Sequence, residues 1–306
     1  MSLYSFQKMF PDENACREFL AKQKWGGLDK AVCPFCGHKH CYLHNGIDRF
    51  TCKQCQKQFS LRINTIFEDS RLPLVKWFLA IYFETTMKKG ISSYTLANYL
   101  HITQKTAWFL LQRIREVMKN NDNTPFTGIT EIDEAYIGGS ETNKHLEKKN
   151  KVEKTCIIGL VNRDKKQVRA YKVSSNEKEN LLPKVYLNCK DKSNIFTDSY
   201  NGYDDLKKYY NHEFVKHCAG EYNRDKKTKD GKTAYKINTN SIEGFWSQLK
   251  RGINGIYHWA SKKHIQRYIN EFCYRYNNRL MNDIEIFANW FGGCENKRVY
   301  YKCLVS

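Results

Sequence analysis

The chain has 306 residues, 41% hydrophobic, long enough to bury a sizeable core in two or more domains, and this composition excludes a disordered chain. Lys and Arg outnumber Asp and Glu by 51 to 32, a net charge of +19, which favours a polyanionic partner because each neutralised phosphate releases counterions. Residues 1–10 lack a secretory apolar run, and the most apolar stretch, 72–83, carries Lys76 and is far shorter than the ~20 residues that span a bilayer; no membrane partner and a cytoplasmic location are expected.

Residues 1–30 read as a short helix opened by Pro11, with Cys16, Phe19 and Leu20 on its apolar side. The stretch 33–59 is rich in Cys, His and Lys. Its Cys33-Pro34-Phe35-Cys36 and Cys52-Lys53-Gln54-Cys55 are two C-x-x-C pairs. Four thiolates so spaced surround one tetrahedral Zn²⁺, and with every position filled by protein the ion is structural. A pair of redox dithiols competes, but no thioredoxin-like βαβ pattern accompanies them. His38, His40, Cys41 and His44 stand close enough to substitute as ligands. Lys39, Arg49, Lys53 and Lys57 are the cations this ribbon presents.

A helix over 73–89, stopped by Gly90, precedes two more at 93–100 and 104–118 that suit a helix-turn-helix. Leu96, Leu100, Ala107, Leu110, Leu111 and Ile114 face inward, Ile102 plugs the turn and Thr103 caps the second helix. Gln104, Lys105, Gln112, Arg113 and Arg115 are expected on the polar side, where a recognition helix meets a major groove. An ordinary helical hairpin fits nearly as well.

After a linker at 120–127 the texture turns to strands: 129–136, 155–161 and 167–173, then a helix at 177–187 and a strand at 194–197. Helices close this half at 241–253 and 261–279. The lysine-rich stretches 144–154 and 224–236 read as mobile loops. Asp133 sits mid-strand and Asp198 follows a strand directly; clustering such carboxylates costs several kcal/mol, on the order of a buried ion's penalty, unless a cation compensates. Glu131 shares a strand face with Asp133, so either could be a ligand, whereas Glu134 points away. Asp198 could simply cap a turn, and Glu243 could be a first-turn acid complementing a helix dipole. Glu243 and Lys250 share one side of their helix, nearly two turns apart. Spacing alone does not select among these acids.

The motifs do. Asp133-Glu134-Ala135-Tyr136-Ile137-Gly138-Gly139, Thr197-Asp198-Ser199-Tyr200-Asn201-Gly202-Tyr203, Asn238-Thr239-Asn240-Ser241-Ile242-Glu243 with Trp246 and Lys250-Arg251-Gly252, and Tyr257-His258 before the last helix resemble, in order, bacterial insertion-sequence DDE transposases with an N-terminal zinc ribbon, a group related to Merlin elements. The resemblance covers nearly the whole chain. It implies a multidomain α+β protein: helix and zinc ribbon at 1–66, a helix-turn-helix region at 67–120, a ribonuclease H-like catalytic core with a mixed sheet at 121–285, and a tail at 286–306. It implies Asp133, Asp198 and Glu243 as the catalytic acids holding two Mg²⁺ or Mn²⁺ ions, with Asn240 the alternative third position because some relatives carry Asn there. Lys250, Arg251, Lys262 and Lys263, with Lys105 and Arg113, are the expected DNA contacts. The implied activity is cleavage and strand transfer at the ends of an insertion sequence, the partners being its terminal inverted repeats and target DNA. A homodimer or larger assembly is expected, since two ends must meet. An inactivated, DNA-binding regulator is the alternative, and a tyrosine-nucleophile recombinase is a second.

Overall fold

Segments Met1–Met118 and Leu280–Ser306 form one unit and Lys119–Arg279 a second in this computed structural model, which describes residues 1–44, 49–138, 154–227, 230 and 233–305. In the first unit, α1 (Leu3–Met9) precedes α2 (Glu13–Trp25). Helix α2 starts where the Asp12 carboxylate accepts from the Ala15 amide at 2.9 Å, and it ends at Gly26, whose left-handed conformation suits a residue without a Cβ. Strands β1 (Cys41–Leu43), β2 (Arg49–Cys52) and β3 (Gln58–Ser60) form an antiparallel sheet in that order. Helices α3 (Leu74–Thr86), α4 (Ser93–Leu100) and α5 (Gln104–Val117) follow.

Helices α4 and α5 are joined by a tight turn at His101–Thr103. Ser92 and Thr103 cap the two helices by accepting from the Thr95 and Thr106 amides. His101 turns the chain at φ +48°, the left-handed conformation a helix end requires. The inward residues are as expected, but the polar side is not. Gln112, Arg113 and Arg115 are buried. Arg115 pairs with the buried Glu84 at 3.0 Å, while Arg113 donates to the Glu68 carbonyl at 2.7 Å and lies over the Trp77 and Phe109 rings. Guanidinium planes stack on aromatic faces and the stems pack like aliphatic chains, so helical periodicity reads these cations as surface. Lys105 remains exposed, its ammonium over Tyr301.

In the second unit, β4 (Ile129–Ile137), β5 (Thr155–Asn162) and β6 (Gln167–Val173) run antiparallel, and α6 (Lys178–Asn188) leads to β7 (Asn194–Asp198) and β8 (Asn211–Val215), both parallel to β4. The order β6-β5-β4-β7-β8 is that of a ribonuclease H-like core. The stretch 224–236, expected to be a loop, instead holds a hairpin of β9 (Arg224–Lys227) and β10 (Thr233–Ile237); its charged side chains lie outside a core, so alternation carries no signal. Of the other lysine-rich stretch, 144–153 lies outside the described residues. Helix α7 (Asn240–Gly252) runs on as a π-turn to Tyr257, and α8 (Ile265–Asn277) follows. Ile242, Phe245, Leu249, Ile269 and Phe272 pack with Ile157 and Val161 of β5 in one core. Ile158 and Leu160 join Leu181, Val185 and Tyr203 in the other. Helices therefore cover both faces of β5, which explains its unbroken apolar run.

The segment 286–306 is no free tail. Helix α9 (Asp283–Phe291) and the short α10 (Tyr301–Val305) belong to the first unit. Phe287 meets Phe78 of α3 edge-on and Phe291 meets it at a tilt, and the Trp290 ring donates to the Ile114 carbonyl at 3.4 Å.

Candidate active site and zinc ribbon

Strand register directs the two aspartates towards one end of the sheet. Strands β4 and β7 pair in parallel as far as Glu131 and Phe196, and Asp133 and Asp198 each stand two residues beyond that last pair. Helix α7 supplies the rest. The Trp246 ring nitrogen donates to Asp133 Oδ2 at 3.0 Å, and Glu243 lies one turn before Trp246, on the same side of the helix. This approach needs Gly159, which pairs with Asp133 on β5. A Cβ there would meet Trp246 at 2.6 Å and Ile242 at 2.7 Å. Gly159→Val therefore destabilises the fold by about 1–3 kcal/mol through overpacking, read as a lower denaturation midpoint; a variant as stable as the parent would contradict so close a contact.

Electrostatics link the acids. Burial first, and then the charges of Asp198 and Glu243, push the Asp133 carboxyl up to about 6, against the opposing Trp246 hydrogen bond. Glu134 points to the other face, as alternation requires, where the Tyr203 hydroxyl donates to it at 2.6 Å. Burial pushes it up to about 7, with Asp198 and Asp133 adding to the shift. Asp198 does cap its turn, accepting from the Tyr200 amide at 3.0 Å. Glu243 accepts from the Thr239 hydroxyl at 3.0 Å and has His217 Nε2 at 3.7 Å.

Glu131 takes a different part from the one its strand face allowed. It is fully buried, paired with Arg163 at 2.5 Å, and accepts from the Ser241 and Ile242 amides at 2.8 and 3.0 Å. Its oxygens are occupied. Asn240 is exposed at the start of α7, one turn before Glu243; Lys250, Arg251, Lys262 and Lys263 are exposed too, with Arg251 folded back onto Ser247.

Sequence reasoning misses His217, Gly159 and the Glu131 cap. A glycine inside an apolar strand does signal close backbone approach, so Gly159 was findable. Nothing local marks His217.

The ribbon is resolved more sharply. The Sγ atoms of Cys33, Cys36, Cys52 and Cys55 all lie within 4.8 Å of one another, the one such group of metal-ligating atoms among the described residues. Cys33–Cys55 and Cys36–Cys52 are 3.6 and 3.5 Å apart, close to the ~3.8 Å edge of a tetrahedron with 2.3 Å bonds. Gly37, at φ +73°, makes the turn that Cβ-bearing residues rarely adopt. Cys41 turns instead to the His38 carbonyl, and His44 to Thr51, so neither completes the set.

Residues 125–277 match the family described as ISXO2-like transposase domain. The chain belongs to that transposase family. Residues 11–58 of this transposase match a transposase zinc-ribbon domain, which agrees with the four-cysteine cluster and gives the ribbon a structural Zn²⁺. The chain is also 24% identical, over 287 residues, to an uncharacterized protein in transposable element ISH50 from Halobacterium salinarum, covering 88% of this transposase and 92% of that protein. No helix among the described residues is long and apolar enough to cross a membrane.

Proposed function

We propose that this transposase cuts and joins DNA strands at the ends of an insertion sequence, using Asp133, Asp198 and Glu243 as its acids. One observation carries the reading: the Trp246–Asp133 hydrogen bond seats α7 against β4, itself paired with β7, so that acids from three separate elements of the fold approach one another. The three acids do not lie as close together as the ribbon's four thiols, but they are within electrostatic reach of one another, and carboxylates with no thiol or neutral imidazole among them suit a hard divalent cation such as Mg²⁺ or Mn²⁺. When bound, such ions activate the attacking hydroxyl and neutralise charge on the departing oxygen.

The side chains do the positioning. The Trp246 ring orients Asp133, the Tyr200 amide orients Asp198 and the Thr239 hydroxyl orients Glu243, the three carboxylates that would hold the cations. Glu243 is the third acid in preference to Asn240, because it lies one turn from the Trp246 contact and its charge reaches Asp133. Lys250, two turns along the same side, grips a strand phosphate, with Arg251, Lys262 and Lys263 beyond it and Lys105 on the helix-turn-helix. Water attacks the scissile phosphorus and the element's 3′ oxygen leaves; that 3′-hydroxyl then attacks a target phosphate, whose own 3′ oxygen leaves. No side chain becomes bonded to DNA. Two ends must meet, so two copies act together, on DNA in the cytoplasm.

The test is a duplex carrying the element's inverted repeat. The purified protein nicks it with Mg²⁺ or Mn²⁺, not with chelator, and leaves no protein–DNA adduct after denaturation. Binding without nicking would support a regulator; an adduct would point to a tyrosine nucleophile.

A further inference from the structure

Glu131 is a buried acid that no step above uses. Its position carries an inference that rests on the proposed acid site. Its carboxylate accepts four hydrogen bonds: from the Ser241 and Ile242 amides at 2.8 and 3.0 Å, from the Ser241 hydroxyl at 2.8 Å and from Arg163 Nε at 2.5 Å. The two amides belong to the first turn of α7, whose N–H groups have no helical partners and carry the positive end of the helix dipole. Arg163, at the end of β5, spends its remaining donors on the Lys236 carbonyl at 2.6 Å and on the Asn238 carbonyl and side chain at 2.9 and 2.5 Å.

We infer that Glu131 and Arg163 form a clasp that sets the third acid against the first: Glu131, two residues before Asp133 on the same strand face, fixes the start of α7, and Glu243 follows one residue after the capped amides. Glu131 is thus a positioning residue, acting on the metal site through α7. The arrangement has a chemical logic. A carboxylate whose charge is answered by a guanidinium and a helix terminus does not compete for the cation, yet it sits on the strand that presents Asp133. One strand therefore dictates both where the first acid stands and where the helix carrying the third begins. Arg163 closes the loop by fixing the 236–238 backbone that enters α7.

Partners that orient metal ligands typically affect metal affinity by about 10- to 100-fold. Titrating the zinc-loaded full chain with Mn²⁺ by calorimetry, well below its unfolding temperature, is expected to show at least tenfold weaker binding for Glu131→Gln. The Mn²⁺ concentration for half-maximal nicking should rise in step, while duplex binding stays unchanged. A role confined to stability would lower the unfolding midpoint and leave the Mn²⁺ affinity of the folded protein alone. Arg163→Lys keeps the ion pair but loses the fork to Asn238, and a several-fold loss is expected; it decides the matter if Glu131→Gln does not fold. Affinity within twofold of the parent in the folded variant overturns the clasp, provided Asp133→Asn weakens binding. If Asp133→Asn changes nothing either, the acid site itself falls, and the clasp with it.

Discussion

Asp133→Asn and Asp198→Asn each abolish metal-dependent nicking, by on the order of 10³-fold or more, equivalent to about 4 kcal/mol of barrier, while duplex binding persists. In the first variant the substituted amide keeps a carbonyl oxygen that still accepts the Trp246 ring N–H, so the fold retains that contact and loses only the charge and one oxygen donor. The same variant has an opposite effect on stability when divalent metal is withheld. The Asp133 carboxyl is raised from 3.8 to about 6, so its charged form is disfavoured in the folded state. Between pH ~4 and ~6 the folded protein holds a proton that the unfolded chain releases, and the parent loses stability as pH rises through this window. Above it the full penalty is present, up to about 3 kcal/mol at roughly 1.4 kcal/mol per unit. Asp133→Asn escapes that penalty. Its metal-free form should melt above the parent at pH 8, with the gap closing towards pH 4, and Mg²⁺ should stabilise the parent but not the variant. Wild-type cutting would remove Asp133 from the site; equal melting at pH 8 would show that the buried Asp133 carboxylate carries no such penalty.

How much of this is legible before folding depends on which signal each residue leaves. The strands of the second unit are readable because a sheet buried on both faces writes a continuous apolar run, as in Cys156-Ile157-Ile158-Gly159-Leu160-Val161. The four ribbon cysteines are readable because their spacing is the geometry. The acids are different: alternation puts Glu131 and Asp133 on one face, and no local rule separates the acid proposed to hold metal from one that caps a helix 110 residues away in sequence. That distinction lives in tertiary contacts, as does the pairing of Glu243 with His217 and Thr239. Arg113 and Arg115 fail for a related reason. A hydropathy pattern assumes that charge means water, and it cannot see Glu84 or Trp77 waiting across the helix bundle. The 286–306 segment has the opposite problem, since Phe287, Trp290 and Phe291 do spell an apolar face, on a stretch so short that it reads as an end rather than a helix.

Stripping zinc is the perturbation with the largest expected structural effect. The ribbon's three strands hold three or four residues each, and among the described residues between Cys33 and Phe59 the buried apolar side chains, cysteines aside, are Phe50 and Phe59, stacked at 5.5 Å with Trp25 edge-on to Phe50 at 5.2 Å. So small a core cannot offset the backbone entropy of ordering some 27 residues at ~1–2 kcal/mol each. The metal–thiolate bonds must supply the difference, and apparent binding energies of about 10–16 kcal/mol for structural zinc are of the needed size. One zinc per chain is expected by elemental analysis. Chelation should expose four further thiols to a titrant, change the emission of Trp25, and erase amide protection from 33 to 59. Helices α3–α5 and the five-stranded sheet should keep theirs, because their cores are built from apolar packing and contain none of the four zinc-ligating cysteines. Protection surviving across 33–59 in zinc-free protein would mean that Trp25, Phe50 and Phe59 hold the ribbon without the ion.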